Sequence, residues 1–188
     1  MKVEAALPQA EEVAEATRHG AILSAALDND TRDRVLEGLA ARIRANEVRI
    51  LAANAEDLAR ADAAGMGAAK RQRLALTPAK VEATARGVEV VVELPSPVGA
   101  VTRDARLENG LQVQKVRAPL GAILMIYEAR PHVTVDAFAL CFKAGNACLL
   151  KGGREANASN AVFQELIHEE LAEHGVDPRV VQLVTTSD

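Results

Sequence analysis

The spacing of apolar residues changes character near residue 95, and the change divides the chain. Before it, large apolar residues recur at helical intervals. From Glu11 to Leu27, Val13, Ile22, Leu23 and Leu27 sit in an Ala-rich background that favours a loosely amphipathic helix. Asp30 or Thr31 is placed to cap a second helix with Val35, Leu36, Leu39 and Ile43 on one stripe. A third begins near Asn46, carries Val48, Ile50, Leu51 and Leu58, and stops at "AAGMG", where Gly65 can take a left-handed conformation. A fourth opens at "TPAK": Thr77 has a capping hydroxyl, and Pro78 falls at the first helical position, where its missing N–H costs nothing.

"LPSPVGAV" ends this texture with two prolines and a glycine. Beyond it, Asn109 and Gly110 lie between two short strand-like arms. Asn-Gly is a strong hairpin signal because both residues tolerate positive φ. A two-stranded ribbon is marginal alone, so the one over 98–118 is expected to lie against something, with a second copy of the chain as the candidate. From Leu120 the order becomes strand, helix, strand, helix, strand. "GAILMIY" and "ACLLK" are apolar without alternation, as central parallel strands buried on both faces are, and "VVQLVT" is the third strand. The expected architecture is therefore α/β: a helical region over 1–94, the ribbon, and a Rossmann-like open parallel sheet in a βαβαβ core over 119–188.

Composition narrows the partners. The 26 acidic against 22 basic residues form no long single-sign block, and with no Trp and one Tyr there is little to stack bases on, so nucleic acid is not expected. The longest apolar run, "LGAILMIY", is too short to span a bilayer, and the first residues carry scattered charges rather than a secretory leader. No membrane association is expected, and cytoplasmic residence is the simplest reading. Two cysteines without a disulfide-like framework agree with it.

Candidate chemistry is concentrated after the apolar strands. In "LLKGGREA", two glycines follow a buried strand and precede a helix whose first N–H groups and dipole attract anions. The pair fits a nucleotide cradle and an ordinary tight turn equally, since neither dinucleotide nor P-loop glycine spacing is present. Lys151 lies where ligands of open α/β sheets bind. "YEARPHVTVD" puts Tyr127, Glu128 and Arg130 at the same end of the preceding strand, where Arg130 either lines a site or pairs with Glu128 or Asp136. Cys141 and Cys148 read as small buried hydrophobes with thiols of unlowered pKa. The cysteine spacing makes no zinc half-site. His168 and His174 point ~120° apart on one helix, and they and the carboxylates Glu169 and Glu170 read as solvated surface.

"VRAPLGAILMIYEARPHVTVDAFALCFKAGNACLLKGGREA" resembles the core of the γ-glutamyl phosphate reductases, in the aldehyde dehydrogenase superfamily. "TRDRVLEGLA", "ANAEDLARADAAG" and "RLALTPAKVEATARGV" are similar to that family's N-terminal helices, so the resemblance covers nearly the whole chain. It implies an aldehyde dehydrogenase-like NADP-binding domain, present in part, from an enzyme of proline biosynthesis that reduces γ-glutamyl phosphate to glutamate 5-semialdehyde and phosphate. A cysteine thiolate would take the acyl group and NADPH would supply hydride. The resemblance places Lys151 at the adenosine ribose, with Gly152, Gly153 and Glu155 beside it, and adds Tyr127 and Arg130 to the cofactor side. The family's "RPN" reads "RPH" here, with His132 in the last place. Neither cysteine matches the family's nucleophile, so this chain alone is expected not to catalyse. The alternatives are a nucleotide-binding or assembly module of the same fold, and a reductase of another acyl phosphate or aldehyde.

Overall fold

The computed structural model describes residues 3–184, so the last residue of the third predicted strand, at 185, lies outside the described residues. Five helices come first: α1 (Val3–Ala26), α2 (Asn29–Ala45), α3 (Glu47–Ala63), α4 (Ala68–Leu74) and α5 (Pro78–Glu93). Helix α2 begins two or three residues earlier than the Asp30 or Thr31 expectation. Asp28 is its cap and accepts from the Thr31 N–H at 2.6 Å. Thr77 caps α5 by accepting from the Lys80 N–H, with Pro78 behind it, and Gly65 ends α3 at φ +67°. The seven-residue α4 was not anticipated, because it buries a single residue, Leu74, and carries almost no period.

Strands β1 (Val101–Arg106) and β2 (Gln112–Val116) pair antiparallel. Leu107 and Leu111 close a three-residue loop in which only Gly110 has positive φ, so the turn is a three-residue one and not the two-residue Asn-Gly type. Both faces of this ribbon are exposed, including Val101, Val113 and Val116.

Next come β3 (Ala122–Ile126), α6 (Val133–Lys143), β4 (Ala147–Lys151), a 3-10 turn at Arg154–Ala156, α7 (Asn157–Glu173), a second at Pro178–Val180 and β5 (Val181–Leu183). The three strands are parallel in the order β3-β4-β5, and Ile126 pairs with Lys151 at the end of the ladder. Successive neighbouring strands joined by α6 and α7 put both helices on one face. Helix α1 packs against β4 and β5. Its approach requires Gly20, since a Cβ there would lie 2.0 Å from the Arg179 carbonyl oxygen.

The core is continuous through α2, α5, α6, α7 and β4, with Phe138 and Phe142 stacked 5.1 Å apart at its centre. Strand β4 is enclosed as expected. Strand β3 is not: Leu124 is 58 % and Ile126 75 % exposed, because β3 is an edge strand and no described element covers that face. Helix α6 ends in a Schellman turn at "AGN", with Gly145 at φ +74° and the Asn146 N–H bonded to the Cys141 carbonyl. The Asn146 side chain then accepts from the Gly121 N–H at 2.9 Å and aligns the start of β3.

Candidate functional site

The C-terminal ends of β3 and β4 form the rim where an open parallel sheet gathers its ligand. The Tyr127 N–H donates to the Lys151 carbonyl at 3.1 Å and carries the ladder one residue further. From there one segment turns through Glu128–His132 into α6 and the other through Gly152 and Gly153 into α7.

The glycine pair is accounted for by internal packing. A Cβ on Gly152 would stand 2.3 Å from Asn160 Nδ2 and 3.3 Å from the Tyr127 ring, and one on Gly153 would stand 2.3 Å from Glu155 Oε1. Neither glycine has positive φ. Tyr127 Oη and Thr134 Oγ1 are 2.6 Å apart, and Thr134 Oγ1 donates to Asn160 Oδ1 at 3.0 Å. This chain ties the end of β3 to the starts of α6 and α7, and burial raises the Tyr127 hydroxyl above its ordinary pKa. Glu155 accepts from the Ala129 N–H at 3.1 Å and pins the other loop.

The start of α7 is likewise spoken for. The fully buried carboxylate of Asp57, on α3, accepts from the N–H groups of Ala158 and Ser159 and from the Ser159 hydroxyl. An anion expected at this helix N-terminus would compete with a side chain already there.

What remains free on the rim is mostly cationic, beside one exposed carboxylate, Glu128, that has no ion pair among the described residues. Lys151 is half-buried and donates only to its neighbour's carbonyl, Gly152 O, at 3.1 Å. No carboxylate pairs with it among the described residues. Arg130 is exposed and makes no ion pair with Glu128 or Asp136 among the described residues. It joins two side chains that sequence reasoning passed over, Arg73 and Lys80. A cleft of about 320 Å³ holds Arg73, Tyr127, Glu128 and Arg130, and an adjoining one of about 380 Å³ holds Arg73, Lys80, Arg130 and His132. The basic stretch "KRQRLALTPAK" was the visible signal; only the fold brings it beside the loop after β3. Burial pushes the His132 imidazole below its usual pKa, a shift the nearby Asp136 partly opposes, and burial raises Asp136 above the ordinary carboxylate range.

Both cysteines are buried. Burial beside a second thiol holds Cys148 well above an ordinary thiol. Burial keeps both from acting as exposed nucleophiles. The surface reading of α7 fails at three residues. Glu170 is buried and bonded to Arg42 Nε at 2.7 Å and His174 Nε2 at 3.1 Å, and His168 is bonded to the Val181 carbonyl at 3.1 Å. No group of acidic, histidine or cysteine side chains suited to a metal occurs among the described residues, and no described helix is long and apolar enough to cross a membrane.

No protein-family model matches the chain. The γ-glutamyl phosphate reductase of Shewanella denitrificans is 46 % identical over 165 residues, which are 87 % of this chain and 39 % of that protein. The crystal structure of γ-glutamyl phosphate reductase from Thermotoga maritima superposes with a TM-score of 0.91 at 31 % identity, covering 94 % of this chain and 43 % of that one. An acetylating aldehyde dehydrogenase from Geobacillus thermoglucosidasius shares the fold, with a TM-score of 0.73 at 16 % identity over 96 % of this chain and 37 % of that one. The chain thus spans about two-fifths of the length of the curated relatives it matches. Close identity over most of its residues and a shared aldehyde dehydrogenase-like fold make the chain a member of the γ-glutamyl phosphate reductase family.

Proposed function

We propose that these residues form the cofactor side of an NADPH-dependent reductase that converts γ-glutamyl phosphate to glutamate 5-semialdehyde and phosphate in proline biosynthesis, acting in the cytoplasm. The observation that carries this reading is Lys151. Its ammonium stands at the end of a parallel strand with no carboxylate paired to it among the described residues, on a rim that also carries Arg130, Arg73 and the single carboxylate Glu128. Such a rim suits an anionic dinucleotide. Bound there, the reduced nicotinamide supplies the hydride.

Lys151 and Arg130 hold the anion directly. Gly152, Gly153, Glu155 and Tyr127 act by shaping the rim, since their contacts are internal. The acyl transfer needs an exposed thiolate, which buried Cys141 and Cys148 do not provide, so in a protein of the family's length that group comes from other residues. Calorimetric titration of the chain with NADPH tests the reading: saturable binding is expected, with Lys151→Ala weakening it and leaving the melting temperature unchanged. Absence of binding, or a variant that binds as well as the parent, would count against it.

A second reading concerns assembly. The ribbon's exposed Val101, Val113 and Val116 favour pairing through 98–118 with another copy, as an assembly role of the same fold would require. Sedimentation of the chain and of Val113→Lys reads this out as a loss of self-association in the variant.

A further inference from the structure

Glu128 is out of place on a cationic rim. It lines the cleft of about 320 Å³ together with Arg73, Tyr127, Arg130 and Val133. Glu128 and Arg73 are both exposed, and neither makes an ion pair among the described residues. An anionic dinucleotide gains nothing from this carboxylate, because like charges repel. Its presence calls for a ligand that also carries a cation.

Both charged side chains are presented from fixed backbone. Glu128 and Arg130 flank Ala129, which is buried and donates its N–H to Glu155 Oε1 at 3.1 Å, and Pro131 beyond them is buried as well. Arg73 precedes Leu74, the buried residue of α4, whose carbonyl accepts from the buried Asn54 side chain at 2.9 Å. An anion and a cation from segments far apart in the chain therefore line one cleft without neutralising each other. Groups anchored in this way bind with little ordering cost.

We propose that Arg73 and Glu128 bind the head group of an α-amino acid, Arg73 taking the α-carboxylate and Glu128 the α-ammonium, and so select an acyl phosphate that carries an amino acid at its far end. The assignment rests on the acyl phosphate reading given under the proposed function. γ-Glutamyl phosphate bears both charges on one carbon, joined by two methylenes to the acyl group that reacts. A planar guanidinium meets a carboxylate through two parallel N–H donors, and an ionised carboxylate accepts from an ammonium. The Tyr127 ring and Val133 give the same cleft an apolar wall suited to the methylenes. An acyl phosphate without the amino group leaves Glu128 unmatched.

Titration calorimetry of the parent chain, Glu128→Gln and Arg73→Gln tests this, and circular dichroism melts confirm that each variant is folded. The titrants are L-2-amino-5-phosphonopentanoate, an unreactive analogue, 5-phosphonopentanoate, which lacks only the amino group, and NADPH. The parent is expected to bind the amino compound at least about tenfold more tightly than its counterpart, the size of one charge-assisted contact. Glu128→Gln should level the two phosphonates, Arg73→Gln should weaken both by about tenfold, and neither variant should weaken NADPH. Equal or absent binding of the phosphonates by the parent, a preference that survives Glu128→Gln, or NADPH weakened as much as the phosphonates overturns the assignment. NADPH binding by the parent then leaves the reductase reading standing. A parent that binds neither the phosphonates nor NADPH brings down that reading and this assignment together.

Discussion

Asp57 caps a helix that begins a hundred residues after it: its buried carboxylate accepts from the Ser159 N–H at 2.8 Å and from the Ser159 hydroxyl at 2.6 Å. Helix α7 has no capping side chain of its own, so a residue of α3 satisfies its first N–H groups. Asn54, one turn earlier on α3, donates to Ser159 Oγ and to the Leu74 carbonyl and accepts from the Leu76 N–H. The helical region and the sheet are joined at this point by buried polar bonds, which cost far more to break than to form.

Asp57→Ala should therefore destabilise the chain by about 2–4 kcal/mol, the cost of leaving buried donors without an acceptor. Urea unfolding measures it. A loss below about 0.5 kcal/mol would mean that water replaces the carboxylate.

The glycines after β4 make a second test. Gly152→Ala forces its Cβ against Asn160, which is buried and bonded to Thr134, so a loss of about 1–3 kcal/mol is expected. Gly153→Ala presses instead on the Glu155 carboxylate, and its cost should appear as a mobile loop 128–131 once the bond to Ala129 is lost. Amide hydrogen exchange at Ala129 reads this directly.

Arg42 is mostly buried beside Glu170, which is itself buried and also contacts His174. Removing the guanidinium strands a buried carboxylate, and Arg42→Ala is expected to lower stability by roughly 3 kcal/mol at neutral pH. Arg42→Ala combined with Glu170→Leu should recover much of that loss. Thermal melts of the single and double variants provide the comparison.

His132 supplies a pH dependence. Burial depresses its pKa, so below the unfolded value of 6.5 the unfolded chain binds a proton that the folded chain does not. Folding stability contributed by this residue therefore falls as pH drops from 6.5 toward the folded value, where the dependence ends. His132→Asn, which removes the imidazole, should gain stability relative to the parent as pH is lowered from 7 to 5. The measurement is the difference in urea midpoints across that range, and a constant difference would contradict the burial assigned to the ring.

Local rules were sufficient for the elements whose signals lie within a few residues of one another. Thr77 and Pro78 starting α5, Gly65 ending α3, the ribbon around Gly110 and the βαβαβ order all depend on backbone preferences or on a period that neighbours share. The rim at the strand ends was legible to the same extent: Lys151 at a strand end and Arg130 after the preceding strand are consequences of where apolar runs stop.

Distance in the chain hid the rest. Asp57 reads as one more polar residue on a helix, and nothing within reach of it in sequence foretells Ser159. The glycine pair suggested space for a ligand, while the fold fills that space with Asn160 and Glu155. Glu170 and His174 belong to a polar pattern that implies solvent until α2 brings Arg42 against them. Leu124 and Ile126 sit in an apolar run that implies burial, yet at a sheet edge their face stays open. Arg73 and Glu128 line one cleft only when α4 comes to lie beside the loop after β3. The sequence by itself determined most of the helices and strands, the short α4 excepted, and their ends to within a few residues, because those choices are made by short-range sterics and hydrogen bonding. Only the tertiary structure decided which polar groups are partnered and which cations remain free, because electrostatic and packing neighbours are set by the closeness of segments far apart in the chain.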